Sequence, residues 1–316
     1  MMVLHINEEE VGELVGMSDA ITAVESVGKS MTAGDTVFLP RARLRMGNGF
    51  LHLMPASLEP EGYFGFKSYT SFQGRVRFFV NLFDGRNGDL LAMIEADKLG
   101  QLRTGAASGV ATRVLARKSS KTLGIIGSGY QAETQVTAAL AVHKFLSVKV
   151  FSRSYDRAER FCERMGKVSG FNLDAVNKIE NAASSDVVVT VTSATSPVLF
   201  KEMVKAGCHI NAVGGNMLVR RELDERIVDM ADTIVIDSIE QGKLECGDFV
   251  PSIDKGKLHW DSVLEFRDLF NGRATRLSET DVTLFKSQGI GPWDVALAKV
   301  VYERALQQKM GKQIDL

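Results

Sequence analysis

The chain contains 316 residues, of which 45% are hydrophobic and 24% charged, and its formal net charge is −1. This length exceeds what a single hydrophobic core usually holds, so we expect about two domains. The small net charge argues against a nucleic-acid partner, and no apolar run is long enough to cross a membrane. The first residues lack the basic and apolar segments of a signal peptide, which favours a cytoplasmic location.

The first third of the chain combines a helix with a predicted antiparallel sheet. Ser18 is a candidate N-cap for a helix whose apolar residues recur every three to four positions. Short runs with β character follow across residues 36–96, separated by the turn sequences GNG at 47–49 and GRNG at 85–88. A helix rich in small residues is predicted at 100–116.

From residue 122 onward, predicted strands and helices alternate, which is typical of a parallel sheet with right-handed crossovers. The strands are 122–126, 147–152, 171–176, 186–191, 208–213 and 233–237, and the first helices between them are 130–142, 155–166 and 177–183. The last predicted helix, 293–309, carries Val295, Ala298, Tyr302 and Leu306 on one stripe. We expect this helix to return to the first domain.

A glycine-rich turn, in the sequence TLGIIGSGYQAE at 122–133, joins the first of these strands to its helix. Gly127, Gly129 and Ala132 match the pattern G-x-G-x-x-G/A. In dinucleotide-binding proteins the first glycine permits the tight turn, the second lets the backbone approach a pyrophosphate, and the third small residue lets the helix pack closely. The helix start at Tyr130 and Gln131 then offers free N–H groups to the phosphates. The alternative is a plain turn between a strand and a helix.

The end of the second strand indicates which dinucleotide binds. NAD-binding proteins carry an acidic residue there for the ribose hydroxyls. This chain instead has Ser152, Arg153 and Ser154. Since an arginine flanked by hydroxyls suits a 2′-phosphate, we expect NADP(H) to be favoured over NAD(H). The alternative is that Arg153 is a surface arginine without a ligand.

Other residue types give narrower expectations. Thr192, Val213 and Gly214 follow later strands, at the edge where ligands of open parallel sheets bind, so we expect them to line the cofactor site. The three cysteines form no CxxC pair, which fits reduced, packed thiols. The five histidines are scattered, and no metal site is expected.

Six sequence blocks, spread over almost the whole chain, are more specific than the glycine turn. They are LHLMPA (51–56), GFKSYT (65–70), IEADKLGQLRTGAASGVAT (94–112), LGIIGSGYQAE (123–133), NAVGGNMLVRREL (211–223) and TLFKSQGIGPWD (283–294). In this order they resemble the ornithine cyclodeaminase/μ-crystallin family. The resemblance implies a homodimer that transfers hydride between nicotinamide and the α-carbon of a small-molecule amino or imino acid.

The predicted fold class is α/β, with two domains. Residues 117–292 form a Rossmann-type dinucleotide-binding domain. Residues 1–116 with 293–316 form an α+β domain for substrate binding and dimerisation, with a mainly antiparallel sheet.

The resemblance also suggests which residues hold the substrate and cofactor. Arg41 and Arg103 match family arginines near the substrate carboxylate, which a guanidinium grips with two parallel hydrogen bonds. Arg43 is the alternative if the register differs, and Arg41 would otherwise be a solvated strand arginine. Thr104, beside Arg103, and Gly289 are further candidates for cofactor contacts.

Lys67 is the predicted proton donor. It lies between Phe66 and Tyr69, and aromatic neighbours remove hydration from a lysine, so its pKa falls. It matches the family lysine near the substrate. Our hypothesis is that it donates a proton to, or polarises, the imine nitrogen as hydride arrives. The alternative is a lysine that extends past the rings into water.

Asn216 is a departure from the family. Members that cyclise ornithine carry an aspartate after the glycine pair, whereas this chain has Asn216, and an amide takes no proton at neutral pH. This disfavours cyclodeamination, although Lys67 or Glu245 remain possible bases. The favoured function is an NAD(P)H-dependent reductase of a small cyclic imino acid, of the ketimine or Δ1-pyrroline-2-carboxylate type, in which Asn216 orients the nitrogen. The alternatives are ornithine cyclodeaminase, an alanine-dehydrogenase-like enzyme and a non-catalytic NADPH-binding protein.

Overall fold

The structure is a computed structural model that describes residues 2–315. The chain forms two compact units. The first unit ends at Ala106 and resumes at Gly289, and the second unit is Ala107–Gln288. The first division falls within the long helix Asp97–Leu115, which the sequence-based boundary at residue 116 assigns wholly to the first domain.

The described residues contain sixteen strands and ten α-helices, with short 3-10 helices at Lys201–Met203, Trp260–Ser262 and Phe266–Leu269. The strands are β1 (Met2–Ile6), β2 (Thr36–Phe38), β3 (Ala42–Met46), β4 (Gly49–Leu58), β5 (Tyr63–Phe72), β6 (Arg75–Asp84), β7 (Leu90–Glu95), β8 (Thr122–Ile126), β9 (Ser147–Phe151), β10 (Leu173–Val176), β11 (Val187–Thr190), β12 (His209–Ala212), β13 (Thr233–Ile236), β14 (Leu264–Glu265), β15 (Thr283–Lys286) and β16 (Lys312–Asp315). The helices are α1 (Glu8–Leu14), α2 (Met17–Ala33), α3 (Asp97–Leu115), α4 (Tyr130–Val142), α5 (Tyr155–Ser169), α6 (Ile179–Ala183), α7 (Glu225–Met230), α8 (Ile239–Glu245), α9 (Val250–Asp254) and α10 (Gly291–Gln308). None of these helices is long and apolar enough to cross a membrane.

The sheet of the first unit is mainly antiparallel, as predicted. Its strand order is β16-β1-β7-β6-β5-β4-β2, with β3 paired to β4. The only parallel pair in this sheet, among residues 2–315, is β1 with β7. Neither β1 nor β16 was predicted, because strands of only five and four residues depend on their neighbours for pairing rather than on their own pattern.

Helix α2 begins two residues earlier than a cap at Ser18 implies. Its N-cap is Gly16, so the prediction of Ser18 as the cap is wrong. The Asp19 carboxylate accepts a hydrogen bond from the Gly16 amide at 2.9 Å and satisfies the helix start from inside. The helix ends at Gly34, which takes the left-handed conformation with φ of 85°.

Helix α10 packs against α2 and against β4, β5 and β6, so the last long helix belongs to the first unit as expected. Val295 and Ala298 are fully buried. Leu306 is 53% exposed, and its place on the predicted stripe is wrong. Val301 and Ala305 continue the buried face instead.

The second unit contains a parallel sheet with the order β10-β9-β8-β11-β12-β15-β13-β14. Its first five strands follow the Rossmann order, which confirms the predicted fold class. Val188 contributes to one core cluster, whereas Val187 and Val189 contribute to another, so this central strand is buried on both faces. Strands β14 and β15 were not predicted.

Candidate active site

A cleft of about 640 Å³ lies at the carboxyl ends of β8, β9, β11 and β12, within the second unit. This is the edge at which open parallel sheets bind ligands. Of the predicted cofactor residues, the lining includes Gly127, Gly129, Tyr130, Gln131, Ser152, Arg153, Thr192, Val213 and Gly214.

The glycine turn leaves room at the cleft. Gly127 has a φ of 123°, and a Cβ there would lie 2.4 Å from the Val191 carbonyl oxygen, so glycine is required. Gly129 is the N-cap of α4, and a Cβ at Gly129 would meet nothing within 4 Å. The start of α4 therefore faces open space suited to a phosphate, the kind of ligand that helix N-termini bind.

Two arginines that follow β9 in the chain line the cleft. Arg153 lines it together with Ser152, and Arg157, in the first turn of α5, lines it as well. Ser154 is the N-cap of α5 and lies outside the lining. None of the residues that line this cleft is acidic. Arg157 was not predicted, and its four-residue spacing from Arg153 is the signal that would have indicated it.

Glu222 holds the other side of the cleft in place, and it was not among the predicted site residues. Its buried carboxylate accepts hydrogen bonds from the Thr192 amide (2.6 Å) and hydroxyl (2.7 Å), the Thr190 hydroxyl (2.9 Å) and the Gly214 amide (2.7 Å). A Cβ on Gly214 would lie 2.3 Å from Glu222 Oε1. Burial raises the pKa of Glu222, and the nearby Lys286 ammonium opposes this.

A fully buried ion pair between Lys286 and Asp248 contacts the backbone of Glu222. Lys286 Nζ lies 2.8 Å from Asp248 Oδ2, and neither side chain is exposed. Asp248 Oδ1 accepts hydrogen bonds from the backbone amides of Glu222 and Leu223, at 2.7 and 2.9 Å. Burial disfavours the charged form of Lys286, but the adjacent carboxylate outweighs this and raises its pKa. Lys286 therefore keeps its positive charge near Glu222.

The first unit holds a second cluster, formed by Lys67, Arg103 and Asp294. Lys67 lies on β5, in register with Met54 of β4 and Val80 of β6. Its Nζ donates a hydrogen bond to Asp294 Oδ1 at 2.9 Å, and Arg103 Nε donates to the same oxygen at 3.1 Å. All three side chains of the cluster are buried. Asp294 stands in the first turn of α10 and was not predicted as a site residue.

Arg41 lies near this cluster and is also buried, so it is not a solvated strand arginine. It precedes β3, and its Nη2 donates to the Gly289 carbonyl at 3.2 Å. Gly289 has a φ of 80°, and a Cβ there would lie 2.2 Å from Arg103 Nη1. Gly289 therefore separates two arginines and lies outside the cleft lining. Arg43, on β3, is half-buried.

Burial sets the protonation chemistry of Lys67. Its side chain is 3% exposed, which excludes a lysine extended into water. Burial lowers the pKa of Lys67 to about 8; Asp294 opposes the fall, and Arg103 and Arg41 add to it. The ring over Nζ is that of Phe78 on β6, 4.8 Å away. Strand alternation places Phe66 on the opposite face, so the aromatic neighbour predicted from the adjacent sequence is only partly right.

Two predicted residues lie apart from these features. Thr104 is in the first unit, and its hydroxyl donates to the Gly100 carbonyl at 2.7 Å within α3. Asn216 is half-buried on the loop that follows β12 in the second unit, outside the cleft lining.

Comparison with known proteins identifies the family. The profile of the ornithine cyclodeaminase/mu-crystallin family matches residues 2–309. The chain is 33% identical to the Δ1-pyrroline-2-carboxylate reductase of Bacillus cereus, over 100% of both chains. The structure resembles an archaeal alanine dehydrogenase dimer with bound NAD (TM-score 0.94, 34% identity, 100% of both chains covered). It also resembles the Thermococcus litoralis Δ1-pyrroline-2-carboxylate reductase in complex with NADH and L-proline (TM-score 0.93, 31% identity, 99% of this chain and 100% of the other). The chain therefore belongs to the ornithine cyclodeaminase/mu-crystallin family.

Proposed function

We propose that this protein is an NAD(P)H-dependent reductase of a small cyclic imino acid, of the ketimine or Δ1-pyrroline-2-carboxylate type. The observation that carries the proposal is the buried cluster of the first unit. There Lys67, Arg103 and Arg41 supply three cationic groups and Asp294 a single carboxylate. Because buried charges need partners, this excess of positive charge suits a ligand that brings a carboxylate of its own.

The substrate end of the reaction follows from these side chains. Arg41 and Arg103 hold the carboxylate of the imino acid. Lys67 has a pKa lowered to about 8, so at neutral pH it is protonated yet gives up its proton more readily than an exposed lysine. It donates that proton to the imine nitrogen, and Asn216 orients the nitrogen side of the substrate. The reduced dinucleotide, when bound, supplies the hydride that the α-carbon receives.

The cleft of the second unit fits a dinucleotide. The open space at Gly129 and the amides at the start of α4 suit the pyrophosphate. Arg153 and Arg157, with no acidic residue in the lining, favour NADP(H) over NAD(H), because two guanidinium groups attract a 2′-phosphate. Titration of both reduced cofactors tests this preference, and equal or tighter binding of NADH contradicts it.

The outer face of the first-unit sheet supports a homodimer. An apolar cavity of about 500 Å³ there is lined by Val37, Leu39, Phe64, Phe66 and Phe83, among others. Val37 and Leu39 are each more than half exposed, and with the other residues of this lining they form a contiguous apolar patch, which marks an interaction surface. Phe64→Glu should convert a dimer to a monomer in light scattering, whereas Phe72→Glu, at the far end of the same strand, should not.

One experiment separates the candidate reactions. The purified protein receives a five- or six-membered cyclic imino acid, ornithine, or pyruvate with ammonia, while the absorbance of reduced nicotinamide and the release of ammonia are followed. Rapid NADPH oxidation with the cyclic imino acid supports the proposal. Ammonia release from ornithine indicates a cyclodeaminase, and faster reduction of pyruvate with ammonia indicates an amino-acid dehydrogenase. Cofactor binding without any turnover indicates a non-catalytic binding protein.

A further inference from the structure

Asp294 is shared between two groups to which the proposed function gives separate tasks. Its Oδ1 accepts one hydrogen bond from Lys67 Nζ at 2.9 Å and another from Arg103 Nε at 3.1 Å. The side chain has no solvent exposure, and no residue within 2–315 donates a hydrogen bond to its Oδ2. A buried carboxylate retained in this way is costly unless its cationic neighbours offset the cost.

The bond to Asp294 fixes the orientation of Arg103. Because the carboxylate takes the Nε–H, the guanidinium plane cannot rotate freely, and the two Nη groups remain for another acceptor. The Nε of Arg103 donates to Asp294 Oδ1 at 3.1 Å. A planar guanidinium held through Nε presents its Nη groups in the arrangement that a carboxylate ligand requires.

The Asp294 carboxylate favours the charged form of Lys67, whereas the nearby cations favour its neutral form. The cationic groups that act on Lys67 are Arg103 and Arg41, and both lower its pKa, as burial does. Asp294 raises it. A second carboxylate, that of Asp97, is exposed at the start of α3, and the uncharged ring of Phe78 lies over Nζ. Without Asp294, the Lys67 ammonium would therefore lie buried among two guanidinium groups.

We propose that Asp294 is a positioning residue, which keeps Lys67 protonated and Arg103 oriented by accepting hydrogen bonds from both on one oxygen. The inference rests on the proposed imino acid reduction. Asp294 acts through its two partners, which both donate to its Oδ1, and it is not assigned a contact with substrate.

The variant Asp294→Asn keeps the shape of the side chain and removes its charge. A proton donor must be protonated, so kcat of the parent enzyme should fall as pH rises through about 8, the pKa of Lys67. An opposite charge at this distance is worth about 1–3 pH units, so the fall should occur about 1–3 units lower in the variant. At pH 7 kcat should then drop by about 2–90-fold, and it should recover when the pH is lowered.

Glu303→Gln is the matched control, since Glu303 lies on the same helix and accepts a hydrogen bond from the Tyr63 hydroxyl at 3.2 Å. It should leave the pH profile unchanged. Asp294→Glu keeps the charge but displaces it. As pH rises, its kcat should therefore fall at nearly the same pH as in the parent enzyme. Its KM for the imino acid should rise severalfold, because Arg103 shifts. A merely structural role predicts loss of folded protein with no displacement of the pH profile.

A direct measurement covers the case in which Asp294→Asn does not fold. Lysine labelled with ¹³C at Cε reports the titration of Lys67, assigned by its loss in Lys67→Arg. In the folded parent and in Asp294→Glu, this signal should titrate below the other lysines and at similar pH. Two results overturn the inference. One is a Lys67 signal that titrates in Asp294→Glu at a much lower pH than in the parent, as an unpaired buried lysine would. The other is a profile of kcat against pH that is unchanged in Asp294→Asn. Failure of the parent enzyme to reduce any imino acid overturns the proposed function instead.

Discussion

Replacing Lys67 by methionine tests the assignment of the proton donor most directly. Methionine has a similar length and suits the buried setting between Met54 and Val80, but it carries no proton to donate. General acid catalysis by a positioned group contributes about 10²–10⁴-fold. We therefore expect kcat to fall by about 10²–10⁴, which corresponds to about 2.7–5.4 kcal/mol of activation free energy.

The same substitution should also lower the free energy of unfolding, by a limited amount. Removing one partner of a buried ion pair costs about 3–5 kcal/mol when the other charge is left alone. Asp294 keeps its hydrogen bond from Arg103 at 3.1 Å, so we expect the lower end of that range. Cofactor binding should not change, because Lys67 does not line the cleft of the second unit.

The assay is steady-state reduction of the cyclic imino acid, combined with fluorescence titration of NADPH and a thermal melt. Lys299→Met is the matched control, because Lys299 on α10 also lies over an aromatic ring, 5.9 Å from that of Tyr63, but is partly exposed. The control should keep parental turnover. If folded Lys67→Met binds NADPH and turns over within about threefold of the parent, then Lys67 is not the proton donor.

Three further outcomes are expected. Arg157→Ser should weaken NADPH binding by about 10–100-fold, the value of one charge-assisted hydrogen bond, and leave NADH unchanged, with exposed Arg160→Ser as the neutral comparison in the same titration. Glu222→Gln replaces one acceptor oxygen by a donor, so chemical denaturation should show a loss of about 2–4 kcal/mol, and an undiminished stability would contradict the network. Gly214→Ala should abolish NADPH binding in folded protein, because its Cβ would meet Glu222; normal affinity would show that the loop tolerates displacement.

Local pattern predicted a large part of the fold. Strand β8 and helix α4 have the bounds expected from the apolar run and the glycine turn, because both signals depend on neighbouring residues. The prediction failed where distant parts of the chain supply the stabilisation. Strand β1 exists through its pairing with β7 and β16, and the start of α2 depends on the Asp19 side chain rather than on Ser18.

The candidate site divides in the same way. Gly127, Arg153, Lys67 and Arg103 were named as candidates from the sequence, since a turn, a strand end and family blocks mark them. Their partners were not, because Asp294 lies 227 residues from Lys67 along the chain, and its place at the end of the last family block does not show that the two side chains meet. Packing of α10 on the sheet brings that carboxylate to the lysine and excludes water from both. The residue types that permit the chemistry are therefore visible in the sequence, whereas the burial and ion pairing that set the pKa of Lys67 arise from the folded chain.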